Sequence, residues 1–176
     1  MQTLNRYGEL HAILAIDPGG TTGVFAGYIE TKPTLKETLE TLYNEKDAEV
    51  SGNYLEQGQK LSKIMSTFEY RANVENGIEL DNIHFAIEDF VLRRRREGGA
   101  TGNLTSCWVA AAATAIYQEA SMDGEMYPNL AWQTPSDAKS RVTNDRLRMY
   151  DMYVPGSEHK KDARRHFVLR ADRILG

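Results

Sequence analysis

Three acidic residues stand out because of what surrounds them. Asp17 follows the apolar run Ala12, Ile13, Leu14, Ala15, Ile16 and opens the stretch Pro18-Gly19-Gly20-Thr21-Thr22-Gly23, whose glycines let the backbone turn sharply and leave room for a ligand. Glu88, followed by Asp89, ends a second apolar run, His84-Phe85-Ala86-Ile87. Asp162 lies three residues after His159, a spacing that puts imidazole and carboxylate on one face of a helix. Each has an ordinary explanation by itself: Asp-Pro-Gly is common turn chemistry, a Glu-Asp pair suits a surface, and acids favour the positive end of a helix. Together they can converge at one sheet edge. Three carboxylates gathered within ~4 Å repel by roughly 1 to 4 kcal/mol per pair, so something positive must sit among them. Hard oxygen ligands of this kind suit Mg²⁺ or Mn²⁺. Two such ions ~4 Å apart would activate a water and stabilise the leaving 3′ oxygen of a phosphodiester.

The elements that would position these acids follow from hydropathy patterning. Residues 12–16 read as a buried strand stopped by a tight turn, and residues 22–29 as its hairpin partner. A third strand is expected within 35–43, although Leu35, Leu39 and Tyr43 are spaced by four, which also suits a helix. Leu55, Leu61, Ile64, Met65 and Phe68 predict an amphipathic helix over 54–68, ended by Asn76-Gly77 or the loop after it. Residues 84–87 form another strand with an acidic tip. The glycine-rich basic stretch 93–103 reads as a loop, and 104–120 as an alanine-dense helix whose Trp108, Ala111, Ala112, Ala115 and Ile116 pack on the sheet. Leu130, Ala131, Trp132 and Gln133 form a last strand, after which Ser136-Asp137 cap a short helix. A terminal helix runs from Ser157 or Glu158 to Leu175, its apolar side supplied by Ala163, Phe167, Leu169 or the Arg170 stem, and Ile174. This is an α/β domain with a mixed sheet.

Length and composition bound the answer. With 176 residues, 41% of them hydrophobic, the chain can bury one sizeable core and reads as a single domain over 1–176. The lone Cys107 offers no internal disulfide and no thiolate pair for zinc, which fits a reducing cytoplasm. No apolar run reaches the ~18 residues of a membrane span, and the first ten residues do not follow the order of a signal peptide. The net charge of −4 is unevenly distributed. Residues 30–89 carry 13 acidic and 6 basic side chains, a balance of −7, whereas 139–173 carry 10 basic and 5 acidic, a balance of +5. The basic half is expected to face DNA, joined by the cluster Arg93, Arg94, Arg95 and Arg96.

The ordered set Asp17-Pro18-Gly19, Ile87-Glu88 and His159-x-x-Asp162-Ala163 resembles the RuvC Holliday-junction resolvases across nearly the whole chain. Its short length and the wording Gly-Gly-Thr-Thr-Gly look most like RuvC-like proteins of bacteriophage genomes. The resemblance implies a ribonuclease H-like fold, with a mixed five-stranded sheet in the order 3-2-1-4-5 flanked by helices. It also implies a metal-dependent endonuclease that cuts branched DNA such as Holliday junctions, acting as a homodimer in the cytoplasm of a bacterium or phage-infected host. Asp17, Glu88 and Asp162 would bind Mg²⁺ or Mn²⁺, two ions per site, and His159 would be a further ligand or handle a proton. RuvC proteins usually carry a non-acidic residue where Asp89 stands. Three roles therefore remain open for it: a carboxylate supporting the ligands, a ligand in place of His159, or an exposed side chain.

In RuvC-like resolvases the loop after the second acid contacts the junction. Here it would present Phe90 and Arg93, Arg94, Arg95 and Arg96, with Lys139, Arg141, Lys160, Lys161, Arg164 and Arg165 extending a phosphate-binding track. Phe90 is read equally well as a base-stacking residue or a core aromatic. The alanine-rich helix lies near a dimer contact in RuvC, so the homodimer rests on resemblance alone. Two other functions fit parts of the pattern. The first motif also resembles the phosphate-binding turn of sugar kinases and actin-like ATPases, but 176 residues hold only one lobe of such an enzyme. A non-catalytic junction-binding protein would be marked by a missing acid, and none is missing.

Overall fold

The protein is described here by a computed structural model covering residues 7–89, 104–120 and 129–176. Strand β1 (Leu10–Asp17) and strand β2 (Thr21–Glu30) form an antiparallel hairpin in register from Leu10↔Glu30 to Asp17↔Gly23. Strand β3 (Tyr43–Ser51) pairs antiparallel with the outer side of β2. On the other side of β1, β4 (Ile83–Glu88) runs parallel to it, and β5 (Leu130–Gln133) runs parallel to β4. The sheet order is therefore 3-2-1-4-5, the ribonuclease H-like arrangement. Because β1 and β4 are parallel, Asp17 and Glu88 come out at the same edge.

Side-chain alternation along β1 assigns its two faces. Ala12, Leu14 and Ile16 pack with helix α2 (Tyr54–Tyr70) and helix α3 (Leu104–Ala120) in one core. Ile13 and Ala15 join the opposite core with Phe167 and Leu169 of helix α6 (Glu158–Leu175), where Phe25 meets Phe167 edge to face at 4.9 Å. Asp17 continues that second series and so emerges on the α6 side. Both faces of β1 are covered, which explains its unbroken apolar run.

Several local expectations are corrected. The segment expected as the third strand contains the short helix α1 (Leu35–Glu40), and the strand follows it. Thr34 and Glu37 cap α1 reciprocally, satisfying backbone donors that a strand would have turned to the sheet. Helix α4 (Pro135–Arg141) is capped by Thr134, whose hydroxyl accepts from Asp137 N–H, rather than by Ser136 or Asp137. A further helix, α5 (Asn144–Met149), was not expected. Helix α2 runs on into a wider turn at Arg71–Glu75 and stops at Gly77, whose φ of +67° favours glycine. Helix α3 buries a different set of residues from the one expected, although Ala112 of the expected set packs against α2. Val109, Ala110, Ala113 and Tyr117 point inward, while Ala111 and Ala115 are exposed and Trp108 is 57% exposed against the ring of Tyr54. Its alanines matter for close approach: a Cβ added at Gly58 of α2 would stand 2.5 Å from Ala112 Cβ. Among the described residues, no helix is long and apolar enough to cross a membrane.

At the far end of the sheet, Arg170 Nη2 donates to His84 Nδ1 at 2.9 Å, and His84 Nε2 lies 3.0 Å from His11 Nδ1. An imidazole that accepts from arginine must carry its proton on the other nitrogen, so His84 is neutral and donates to His11. Burial, then Arg170 and His11, lower its pKa from 6.5 to about 3. The unfolded chain therefore binds a proton that the folded chain refuses between those values. The contribution of His84 to stability is complete above pH 6.5 and falls as pH drops toward 3, by up to about 1.4 kcal/mol per pH unit. We expect His84→Gln, which keeps an acceptor and a donor, to flatten this acid loss. The check is the urea midpoint between pH 7.5 and 4.5; an unaltered slope would remove His84 as its origin.

Candidate active site

The turn after β1 is held from both faces of the sheet. Gly19 N–H donates to Thr22 Oγ1 at 3.3 Å, and the Thr22 hydroxyl donates to Gln57 Oε1 at 2.6 Å. Gln57 Nε2 then donates to the carbonyls of Gly20 at 3.1 Å and Gly52 at 2.9 Å. Gln57 is fully buried, and sequence reasoning missed it. The available signal was its place in the series Gln57, Leu61, Met65, Phe68, one amide in an otherwise apolar stripe of α2. On the other face, the His159 ring lies over Gly19, where a Cβ would be 3.0 Å from Cε1.

Each acid meets partners from a distant segment. Asp17 Oδ2 is 3.0 Å from His159 Nδ1, and Glu88 lies close enough to raise the Asp17 pKa. Glu88 Oε2 is 2.9 Å from His166 Nε2, whose Nδ1 is 2.9 Å from Gln133 Oε1. Both ring nitrogens are therefore engaged, one with Glu88 and one with the Gln133 side chain. His166 was also missed in the sequence. It lies four residues after Asp162 and seven after His159, on the same helical face. Asp162 has both oxygens engaged, Oδ2 with Lys139 Nζ at 2.9 Å and Oδ1 with Arg165 Nη1. Arg165 is itself fixed by Val142 O at 3.1 Å and by Asn144.

Asp17, Glu88 and Asp162 are all buried, and the electrostatic consequence falls on Asp17. Burial first, then Glu88 and Asp162, push its pKa from 3.8 up to about 9, with Lys139 opposing only in part. Burial alone would lower Lys139, but the three acids reverse this and raise it above 10.5. With Asp17 protonated, Lys139 and Arg165 balance Glu88 and Asp162; ionising Asp17 adds a negative charge that the site's lysine and arginine do not neutralise.

That excess, on hard oxygen donors with imidazoles beside them, fits a divalent cation. Among the described residues, however, no three acidic, histidine or cysteine groups are arranged so that they could hold a metal ion as they stand. Asp162 has both its oxygens on cations, Lys139 and Arg165. Lys139, with its side chain 56% exposed, is the one free to swing away.

The other site residues divide into three sets. Phe90, Arg93, Arg94, Arg95 and Arg96 lie outside the described residues. Asp89 is exposed, and its backbone N–H pairs with Gln133 O at 2.7 Å. Arg141 is exposed and Lys160 half-buried. The expected basic track is corrected at three positions. Lys161 is buried, ion-paired with Glu158 and 5.5 Å from the centre of the Tyr153 ring. Arg164 pairs with Asp47 at 3.0 Å and covers Phe25, while Arg165 holds Asp162. Much of the positive excess of 139–173 therefore neutralises the protein's own acids. No protein family and no curated protein matches this chain.

Proposed function

We propose that this chain is a divalent-metal-dependent endonuclease of the RuvC-like kind, acting on branched DNA. The observation that carries the reading is the convergence of Asp17, Glu88 and Asp162 from three distant segments in a buried place, where burial first and then the other two acids raise the Asp17 carboxyl to about 9. Neutralising such a cluster is work for divalent cations, which take their remaining ligands from water and a phosphate. Two Mg²⁺ or Mn²⁺ ions held by Asp17, Glu88 and Asp162 would supply an activated water and stabilise the departing 3′ oxygen.

The chain's own groups do the rest. His166 and Gln133 orient Glu88, and Arg165 holds Asp162 in place. The His159 side chain is 43% exposed and holds Asp17 through Nδ1, leaving Nε2 to take or return a proton at the mouth of the site. Lys139, released from Asp162, pairs with a phosphate oxygen of the substrate. Cutting both strands of a four-way junction needs two such sites, so the proposed working unit is a homodimer, to be checked by its mass in solution.

The test is incubation of the purified protein with Mg²⁺ or Mn²⁺ and labelled linear, forked, flapped and four-way DNAs. Metal-dependent nicking confined to the branched forms is expected. Hydrolysis of ATP with every DNA intact would point instead to the phosphate-binding reading, and tight junction binding with no nicking to a non-catalytic one. We also expect His166→Leu to weaken Mn²⁺ binding about 10- to 100-fold, because Glu88 loses the group that orients it. Calorimetric titration with Mn²⁺ measures this, and unchanged affinity would free Glu88 from that dependence.

A further inference from the structure

A cleft of about 860 Å³ lies on the sheet face opposite the carboxylates, between α2 and the outer strand β3. It exists because the inner face of β3, with Ala48 and Val50, is not closed over by α2. Val24, Ala26, Ile64 and Phe68 complete an apolar interior. Its rim is different in character. Lys46 on β3, Lys63 on α2 and Arg71 just beyond it are all exposed, and none makes an ion pair with a described residue. Lys60 is already occupied by Ser51 O at 2.9 Å. Two acids share the rim: Glu49, which holds Ser157, and Glu75.

Small-molecule sites are concave, mostly apolar and roughly 300–1,000 Å³ in volume, with a few polar groups that fix orientation. This cleft has that size and lining, and its uncommitted charges are three positive, Lys46, Lys63 and Arg71, against one negative, Glu75. From this charge complementarity we infer that the cleft binds a small amphipathic anion, an alkyl carboxylate with its chain between sheet and helix and its head among Lys46, Lys63 and Arg71. The inference does not depend on the reaction proposed above, since no acid of that site lines the cleft.

Decanoate and its neutral counterpart decanol, titrated into the full chain, test both halves of the idea. Decanoate is expected to shift the methyl resonances of Ala48, Val50 and Ile64 while leaving Val142 and Leu147, in the opposite core, unchanged. Decanol should bind at least about tenfold more weakly, a difference of roughly 1.4 kcal/mol. Lys63→Glu combined with Arg71→Glu should weaken decanoate at least about tenfold and leave decanol unaffected. Should that pair fail to fold, Lys46→Glu on the facing strand is expected to act in the same direction. Absent or misplaced methyl shifts, equal affinity for the two probes, or indifference of decanoate to the charge reversals in a folded variant would each overturn the inference.

Discussion

Asp17→Asn is expected to yield a protein that still binds a four-way junction but nicks it about a thousandfold more slowly. Metal-assisted stabilisation of charge in the transition state amounts to several kcal/mol, and about 4 kcal/mol corresponds to three decades of rate. The same substitution should raise stability in metal-free buffer. The Asp17 carboxyl is pushed from 3.8 to about 9, so the folded chain retains a proton that the unfolded chain has released across that window. The contribution of Asp17 to wild-type stability therefore declines as pH rises from about 4 to 9, opposite in sign to that of His84 below 6.5, and the advantage of the uncharged amide grows over the same range. Thermal unfolding in chelator at pH 5 and pH 8 measures it. Added Mn²⁺ should raise the midpoint of the wild type and leave that of the variant nearly unchanged. A variant that cuts normally would remove Asp17 from the reaction, and one less stable than wild type at pH 8 would contradict the crowding of the three acids.

Gly23→Ala is the second large effect. A Cβ at Gly23 would lie 2.1 Å from the carbonyl oxygen of His159, 2.4 Å from its carbonyl carbon and 3.0 Å from Lys160 N. These are backbone atoms in the first turn of α6, so no side chain can swing aside to relieve the clash. Overpacking of this kind costs about 3 kcal/mol or more. For a chain of this length, that lowers the unfolding midpoint by roughly 6–12 °C. The displaced turn carries His159 and leads into Asp162, so metal binding should weaken together with stability. Gly20→Ala is the control, since nothing lies within 4 Å of a Cβ there and its φ is not in the left-handed region. Equal midpoints for the two variants would show that α6 does not need its close approach to β2.

Local pattern was enough to find the acids. Asp17 and Glu88 each end an apolar run, and a run buried on both faces of a parallel pair must deliver its last residue to the sheet edge. The spacing of His159 and Asp162 is likewise a property of one helix. Pattern failed where two local solutions were nearly equal. Leu35, Leu39 and Tyr43 suit either helix or strand, and the reciprocal cap of Thr34 and Glu37 decides for the helix. In α3, alanines lie on both sides, so hydropathy could not choose the inner face.

The sequence by itself therefore determined the fold class and which acids could meet, because strand and helix periodicities are read over a few residues. Only the tertiary structure decided what those acids touch. Gln57 reaches the Gly19-Gly20 turn from 37 residues away, and His166 reaches Glu88 from 78. The destination of the C-terminal cations was equally hidden: Lys161, Arg164 and Arg165 pair with Glu158, Asp47 and Asp162, and Lys139 also pairs with Asp162. A charge is written in the chain, but its partner is chosen by which segments the sheet brings together and by how little water remains between them.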